Sequence, residues 1–274
     1  MDIKNNLLFQ LTKNVLARNK KFKNKHKGES CYIFGNGASL KSMDLEKFSD
    51  KVAIGCNFLC LHKDFRALDI RYYMLVEPFF LYPIFKNPYT KQLQVNHLGA
   101  VFKEAIKPHR DVDVFTSVSN YFGFGGSNFY YLHHFGEREP SLNYCELDSC
   151  FSFMKGALYA MLGAAIYMGF DRAILVGCDY TFAPHKDNHF YKPGKGVINL
   201  DTENIYAKLF EEASKRIDMI TVTEDGSKSE TLKYQEYGQF TMSAAKYRDN
   251  DELVELGYLA MLQKAAMKRQ IQLV

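Results

Sequence analysis

The sequence predicts an α/β fold, a largely parallel sheet with helices on both faces. Two observations predict it. From residue 31 onward, short apolar runs alternate with longer amphipathic stretches, and the runs are apolar on nearly every residue, as strands covered on both faces are. CYIFG, KVAIGCN, IRYYMLVE, VDVFTS, RAILVGCDY and IDMITVT read as strands. LKSMDLEKF, FMKGALYAMLGAAIYMGF and the 203–216 segment ENIYAKLFEEASKR read as helices. The C-terminal ELVELGYLAMLQKAAMKRQIQLV has helical periodicity and then a short strand-like end, and core packing accounts for it.

Residues 31–274 are expected to form one α/β domain, and residues 1–30 a separate lead-in. Ile3, Leu7, Leu11 and Val15 recur every fourth residue, which predicts an amphipathic helix. Lys20, Lys21, Lys23, Lys25 and Lys27 follow, with no acid before Glu29. Two readings of this segment stand side by side. One is a helix packed on its own domain and then a solvated linker; the other is an interfacial anchor for anionic lipid headgroups.

At 274 residues, 47% hydrophobic and 24% charged, the chain can bury a substantial core. A net charge of +4 is too small to argue for nucleic acid. The six cysteines sit mostly in apolar runs, without the spacing of a zinc site. No signal-peptide pattern opens the chain and no run nears the roughly 20 apolar residues that span a bilayer. The expectation is a cytoplasmic protein, peripheral on the inner membrane face if the anchor reading holds.

In open parallel sheets ligands bind beyond the carboxyl ends of the strands. Gly35, Asn36, Gly37, Ala38 and Ser39 follow the first strand. Glycines there let the backbone approach a phosphate or sugar, the Asn offers a donor and an acceptor, and Ser39 is placed to cap a helix opening at Leu40. The same residues also suit a plain structural turn. The run lacks the full G-x-G-x-x-G and the Walker lysine. A second block, the small-residue helix, Gly169 and an apolar strand, ends in Gly177 and Asp179. An aspartate there can accept from ribose hydroxyls or a base, or serve as a turn residue.

These two blocks, GNGASLKSMDLEKF with the following GCN and the helix–strand unit ending in VGCDYTF, resemble the bacterial sialyltransferases of glycosyltransferase family 42 and the related Maf/MptE-like proteins. They cover roughly residues 31–60 and 150–191. The resemblance implies a Rossmann-like, modified A-type glycosyltransferase fold that binds a CMP-activated sugar and inverts its anomeric centre without a metal. It implies that Gly35, Asn36 and Ser39 meet the CMP phosphate and ribose, that Asn57 lies along the nucleotide, and that Gly177 and Asp179 hold cytidine; Gly37 is counted with the nucleotide-binding residues. The sequence departs from the pattern at Met154-Lys155-Gly156, where the family has a hydroxyl pair before the helix glycine. It departs again at Glu77-Pro78, and at Tyr180, which follows Asp179 directly. Lys155, Gly156 and Tyr180 are nonetheless assigned to the nucleotide side.

Transfer from CMP needs a base at the acceptor hydroxyl and donors at the departing phosphate. APHKDNHFYKPGKG supplies both types. His189 is the first choice of base, since the related enzymes place a histidine on this loop, and His185 the second. Tyr191 and Lys192 are candidate phosphate donors. No metal and no other cofactor is expected: Asp111 and Asp113 form a D-x-D shape but precede their strand, at its wrong end. FGFGGSNFYYLHHF, with His133 and His134, suits a mobile acceptor loop as well as it suits a packed hairpin. The expected partners are a CMP donor carrying an acidic nonulosonate and a surface-glycan or lipid-linked acceptor. The alternatives are an MptE-like pterin diphosphokinase, needing ATP and magnesium, and a nucleotide-binding module without catalysis.

Overall fold

The computed structural model describes residues 3–86, 93–123, 125–134, 139–199 and 205–271. Its strands are β1 (Ser30–Phe34), β2 (Ala53–Cys56), β3 (Ile70–Leu75), β4 (Ile84–Lys86), β5 (Leu93–Val95) and β6 (Asp113–Ser117), then β7 (Phe129–Leu132), β8 (Arg172–Val176), β9 (His185–Asp187), β10 (Val197–Asn199), β11 (Asp218–Thr223) and β12 (Lys233–Glu236). Its α-helices are α1 (Ile3–Leu16), α2 (His97–Ile106), α3 (Ala157–Met168), α4 (Ala207–Ala213), α5 (Tyr237–Thr241), α6 (Asn250–Leu253) and α7 (Leu256–Ile271).

Eight strands form one sheet in the order β12-β11-β8-β1-β2-β3-β6-β7. Every pairing in it is parallel, as the apolar runs predict. Side chains alternate between two cores. Cys31 and Ile33 point into one, with α3 and α4; Tyr32 and Phe34 point into the other, with α2 and α7. The chain runs from β1 outward through β2, β3, β6 and β7, then crosses back to lay β8 on the other side of β1. The reversal leaves a crevice between the carboxyl ends of β1 and β8, which is where open α/β sheets take ligands.

Three expectations are corrected. LKSMDLEKF is not one helix but two 3₁₀ turns, Ala38–Ser42 and Leu45–Phe48. Leu40, Met43, Leu45 and Phe48 all enter the same core, and the Asp44 carboxylate accepts from Glu46 N (3.1 Å), which starts the second turn afresh. Ser39 is not a cap, because Gly37 holds the N-cap position and Ser39 lies inside the turn. The helix expected over 203–216 is reduced to α4, with 201–204 outside the described residues. FGFGGSNFYYLHHF contributes β7, an edge strand parallel to β6. The strand-like C-terminal end lies outside the described residues.

The basic segment is no solvated linker. Phe22 is fully buried among Tyr72, Phe115 and Tyr130, and Asn19 Nδ2 donates to Tyr131 O (2.8 Å) and Leu147 O (2.6 Å). His26 stacks on Phe170 and meets the Tyr72 hydroxyl at 2.6 Å. Asn24 N and His26 N donate to Tyr167 O and Met168 O, carbonyls that the C-terminal turn of α3 leaves open. Lys21, Lys23 and Lys25 lie over aromatic rings of this floor and of α3, Lys21 Nζ lying 4.5 Å from the Tyr130 ring centroid. Phe22→Ala is accordingly expected to cost about 3–5 kcal/mol in denaturant unfolding, where a linker residue would cost under about 0.5 kcal/mol.

Candidate functional site

The crevice between β1 and β8 holds a cleft of about 210 Å³. Gly35, Asn36 and Gly37 form one wall, Gly177, Cys178 and Asp179 the next, and Asn57, His189 and Tyr206 close it. The two strand exits run hard against each other: Gly35 N donates to Val176 O and Gly37 N to Gly177 O, both at 2.8 Å. A Cβ on Gly35 would lie 2.2 Å from the Gly177 carbonyl oxygen, and one on Gly37 would lie 2.1 Å from Asp179 Oδ1. The close approach these glycines permit is thus first an approach to the protein's own chain.

Asp179 is 2% exposed and lies beneath that turn. Its Oδ2 accepts from Ser39 N (2.9 Å), and its Oδ1 accepts from the Ser39 hydroxyl. Burial pushes its carboxyl up to about 7, against those two hydrogen bonds. Asp179 and Ser39 therefore brace the glycine turn from below.

Among the described residues, two polar atoms in the cleft have no hydrogen-bond partner. Asn36 is 7% exposed; its Nδ2 donates to Cys56 O (3.0 Å), while its Oδ1 is buried and unpaired. His189 is the second case, with Nδ1 buried and unpaired. Its backbone bridges to Gly37, and its neighbour Phe190 donates its N–H to Asn36 O (3.1 Å). Burial, aided by the charge of Lys192, pushes the His189 imidazole down to about 4. It is neutral at pH 7, able to accept a proton. A buried polar atom without a hydrogen bond is costly unless something supplies one, so both atoms mark a place for a ligand.

The structure thus brings Gly35, Asn36, Gly37, Asn57, Gly177, Asp179, Tyr180 and His189 to one cleft. Gly156 is the N-cap of α3, one residue before Ala157, which lines it. His185 lies on β9, its ring 6.0 Å from that of Tyr180. Lys155 points elsewhere and pairs with Glu139 at 3.4 Å. Tyr191 and Lys192 line a neighbouring apolar cavity of about 450 Å³ with Phe58, Pro193, Leu259 and Leu262. The cleft's cation is instead Lys186, 2.6 Å from Glu224. Lys186 and Asn188 lie inside the loop singled out from the sequence. Tyr206 arrives from the start of α4 and carries no sequence signal. Asp111 and Asp113 lie at the amino end of β6, as expected from their order. Among the described residues no group of three or more His, Cys, Asp or Glu side chains is placed to hold a metal, and no described helix is long and apolar enough to cross a membrane.

No protein family profile matches the chain, and neither does any curated protein. A solved structure of the sialyltransferase CstII from Campylobacter jejuni, in complex with the substrate analogue CMP-3FNeuAc, is similar to it. The TM-score is 0.41 and the identity 12%, over 86% of this chain and 99% of that one.

Proposed function

We propose that the chain is an inverting glycosyltransferase that moves an acidic nonulosonate from a CMP donor to a glycan or lipid-linked acceptor without a metal. The observation that carries the reading is the pairing, in one cleft at the sheet's reversal, of a buried unpartnered Asn36 carboxamide oxygen with a neutral, unpartnered His189 imidazole. A glycosyl donor offers hydroxyl and amino hydrogens to the first, and an acceptor hydroxyl offers its proton to the second. Lys186, held by Glu224, adds an ammonium donor to the cleft for a departing phosphate. The choice of CMP rests on the two sequence blocks that flank the cleft. Attachment to an anionic membrane face belongs to the same proposal, through α1, on which Leu11 is 74% exposed.

A thermal-shift panel of CMP, UDP, GDP and ATP, each run in EDTA, tests the nucleotide. Binding confined to the folded state adds about 2.7 kcal/mol at a hundredfold excess over Kd. CMP is expected to give the largest shift, undiminished by the chelator. A larger shift with UDP or ATP overturns the reading; one with ATP that needs magnesium favours a phosphotransfer chemistry such as pterin diphosphorylation.

A further inference from the structure

We propose that Lys41 is the positioning residue of the site, an ammonium latch that holds the His189 loop against the glycine turn. Lys41 lies outside the cleft, in the 3₁₀ turn that follows Gly37, and its side chain is 0% exposed. An ammonium has three N–H donors, and all three are used: Lys192 O at 2.5 Å, Gly194 O at 2.6 Å and Asp249 Oδ1 at 2.6 Å. Two of these acceptors belong to the loop that carries His189. The third belongs to the residue that caps α6, where Asp249 and Glu252 form a capping box. The same carboxylate accepts from Gly194 N (3.2 Å), and Lys41's own carbonyl accepts from Arg248 N (2.7 Å).

The loop is therefore fastened at two points. Its front end is joined to the turn by the Gly37–His189 bridge and by Phe190 N to Asn36 O. Its rear end has Lys41 and Asp249. Between them Lys192 N donates to His189 O (3.1 Å), so movement at the rear is passed to the backbone of His189 itself. A buried cation is tolerated only while its partners stay in place, so the latch favours one loop position. It also ties the site to the C-terminal segment some 200 residues away in sequence, since Lys41 and Asp249 are 208 positions apart.

The latch rests on the reading of His189 as the site's imidazole but not on the identity of the nucleotide, and its test needs no ligand. The His189 ring titration is followed by NMR in the full chain, assigned with His189→Gln. In the wild type the midpoint is expected near 4, set by burial and by Lys192. In Lys41→Met the loop is released and the ring hydrated, so the midpoint is expected to rise by at least one pH unit toward the ordinary 6.5 while the circular dichroism stays native. Should Lys41→Met fail to fold, Asp249→Asn keeps the cap of α6 and removes the counter-charge, and the same rise is expected there. Faster hydrogen exchange at the Lys192 and Gly194 amides should accompany it. A folded Lys41→Met or Asp249→Asn protein whose His189 midpoint stays near 4 overturns the latch. A rise with no CMP binding in the wild type upholds the latch and removes only the nucleotide reading.

Discussion

Gly35→Ala is expected to cost more than about 4 kcal/mol, enough to take the protein out of the soluble fraction at 37 °C. The added Cβ would lie 2.2 Å from Gly177 O, 2.9 Å from Gly177 C and 3.2 Å from Cys178 N. All three are backbone atoms, and rotamer changes cannot relieve the collision. Nor can β8 retreat, because it pairs with β1 over five residues and with β11 on its other side. Gly177 itself is hemmed in on its other side, where even a Cβ would lie 2.5 Å from Leu40 Cδ2. Gly257→Ala in α7 is the control: nothing lies within 4 Å of its Cβ, and the helix should gain about 0.5–1 kcal/mol. Urea midpoints of the two variants measure the contrast. A Gly35→Ala protein within about 1 kcal/mol of wild type would mean that the two strand exits do not touch.

The sheet was legible because its inner strands are covered on both faces. A run such as RAILV, exposed only at Arg172, can be little else. β12 (KYQE) was not legible, because an edge strand with exposed or half-exposed side chains has no apolar pattern to read. The basic segment misled for a related reason. Its five lysines read as a solvated run, whereas Asn19, Phe22 and His26 are the residues that fix it, at a spacing of three to four among the charges. The glycine turn and the aspartate were legible as a pair. What they do was not, because the contact between Ser39 and Asp179 spans 140 residues and depends on β8 returning beside β1. Lys41 shows the same limit. A lysine between Leu40 and Ser42 reads as a surface residue, and only the fold brings three oxygens to its ammonium.

His189→Ala is expected to lower kcat by about 10²–10⁴ while leaving the affinity for CMP nearly unchanged. An acceptor hydroxyl is a poor nucleophile until its proton is removed, and the His189 imidazole, which lines the cleft, has one acceptor nitrogen in its neutral form. Its protonation state suits the task. With the imidazole held down to about 4, the base is ready across the neutral range, and activity should be lost only as the pH falls through about 4. An imidazole at its ordinary value would give that loss near 6.5. The same depression bears on stability: between 6.5 and 4 the unfolded chain binds the proton that folded His189 refuses. This contribution is full above 6.5 and disappears as the pH falls to 4, so the alanine variant should show a shallower acid loss of stability. His185→Ala should be milder, because that ring lies on β9 against Tyr180, outside the residues that line the cleft. Steady-state rates of both variants with a CMP-sugar donor, taken from pH 4 to 8, decide the matter. Near-normal kcat in His189→Ala with a large loss in His185→Ala would move the base to β9, and full activity in both would remove the histidine mechanism altogether.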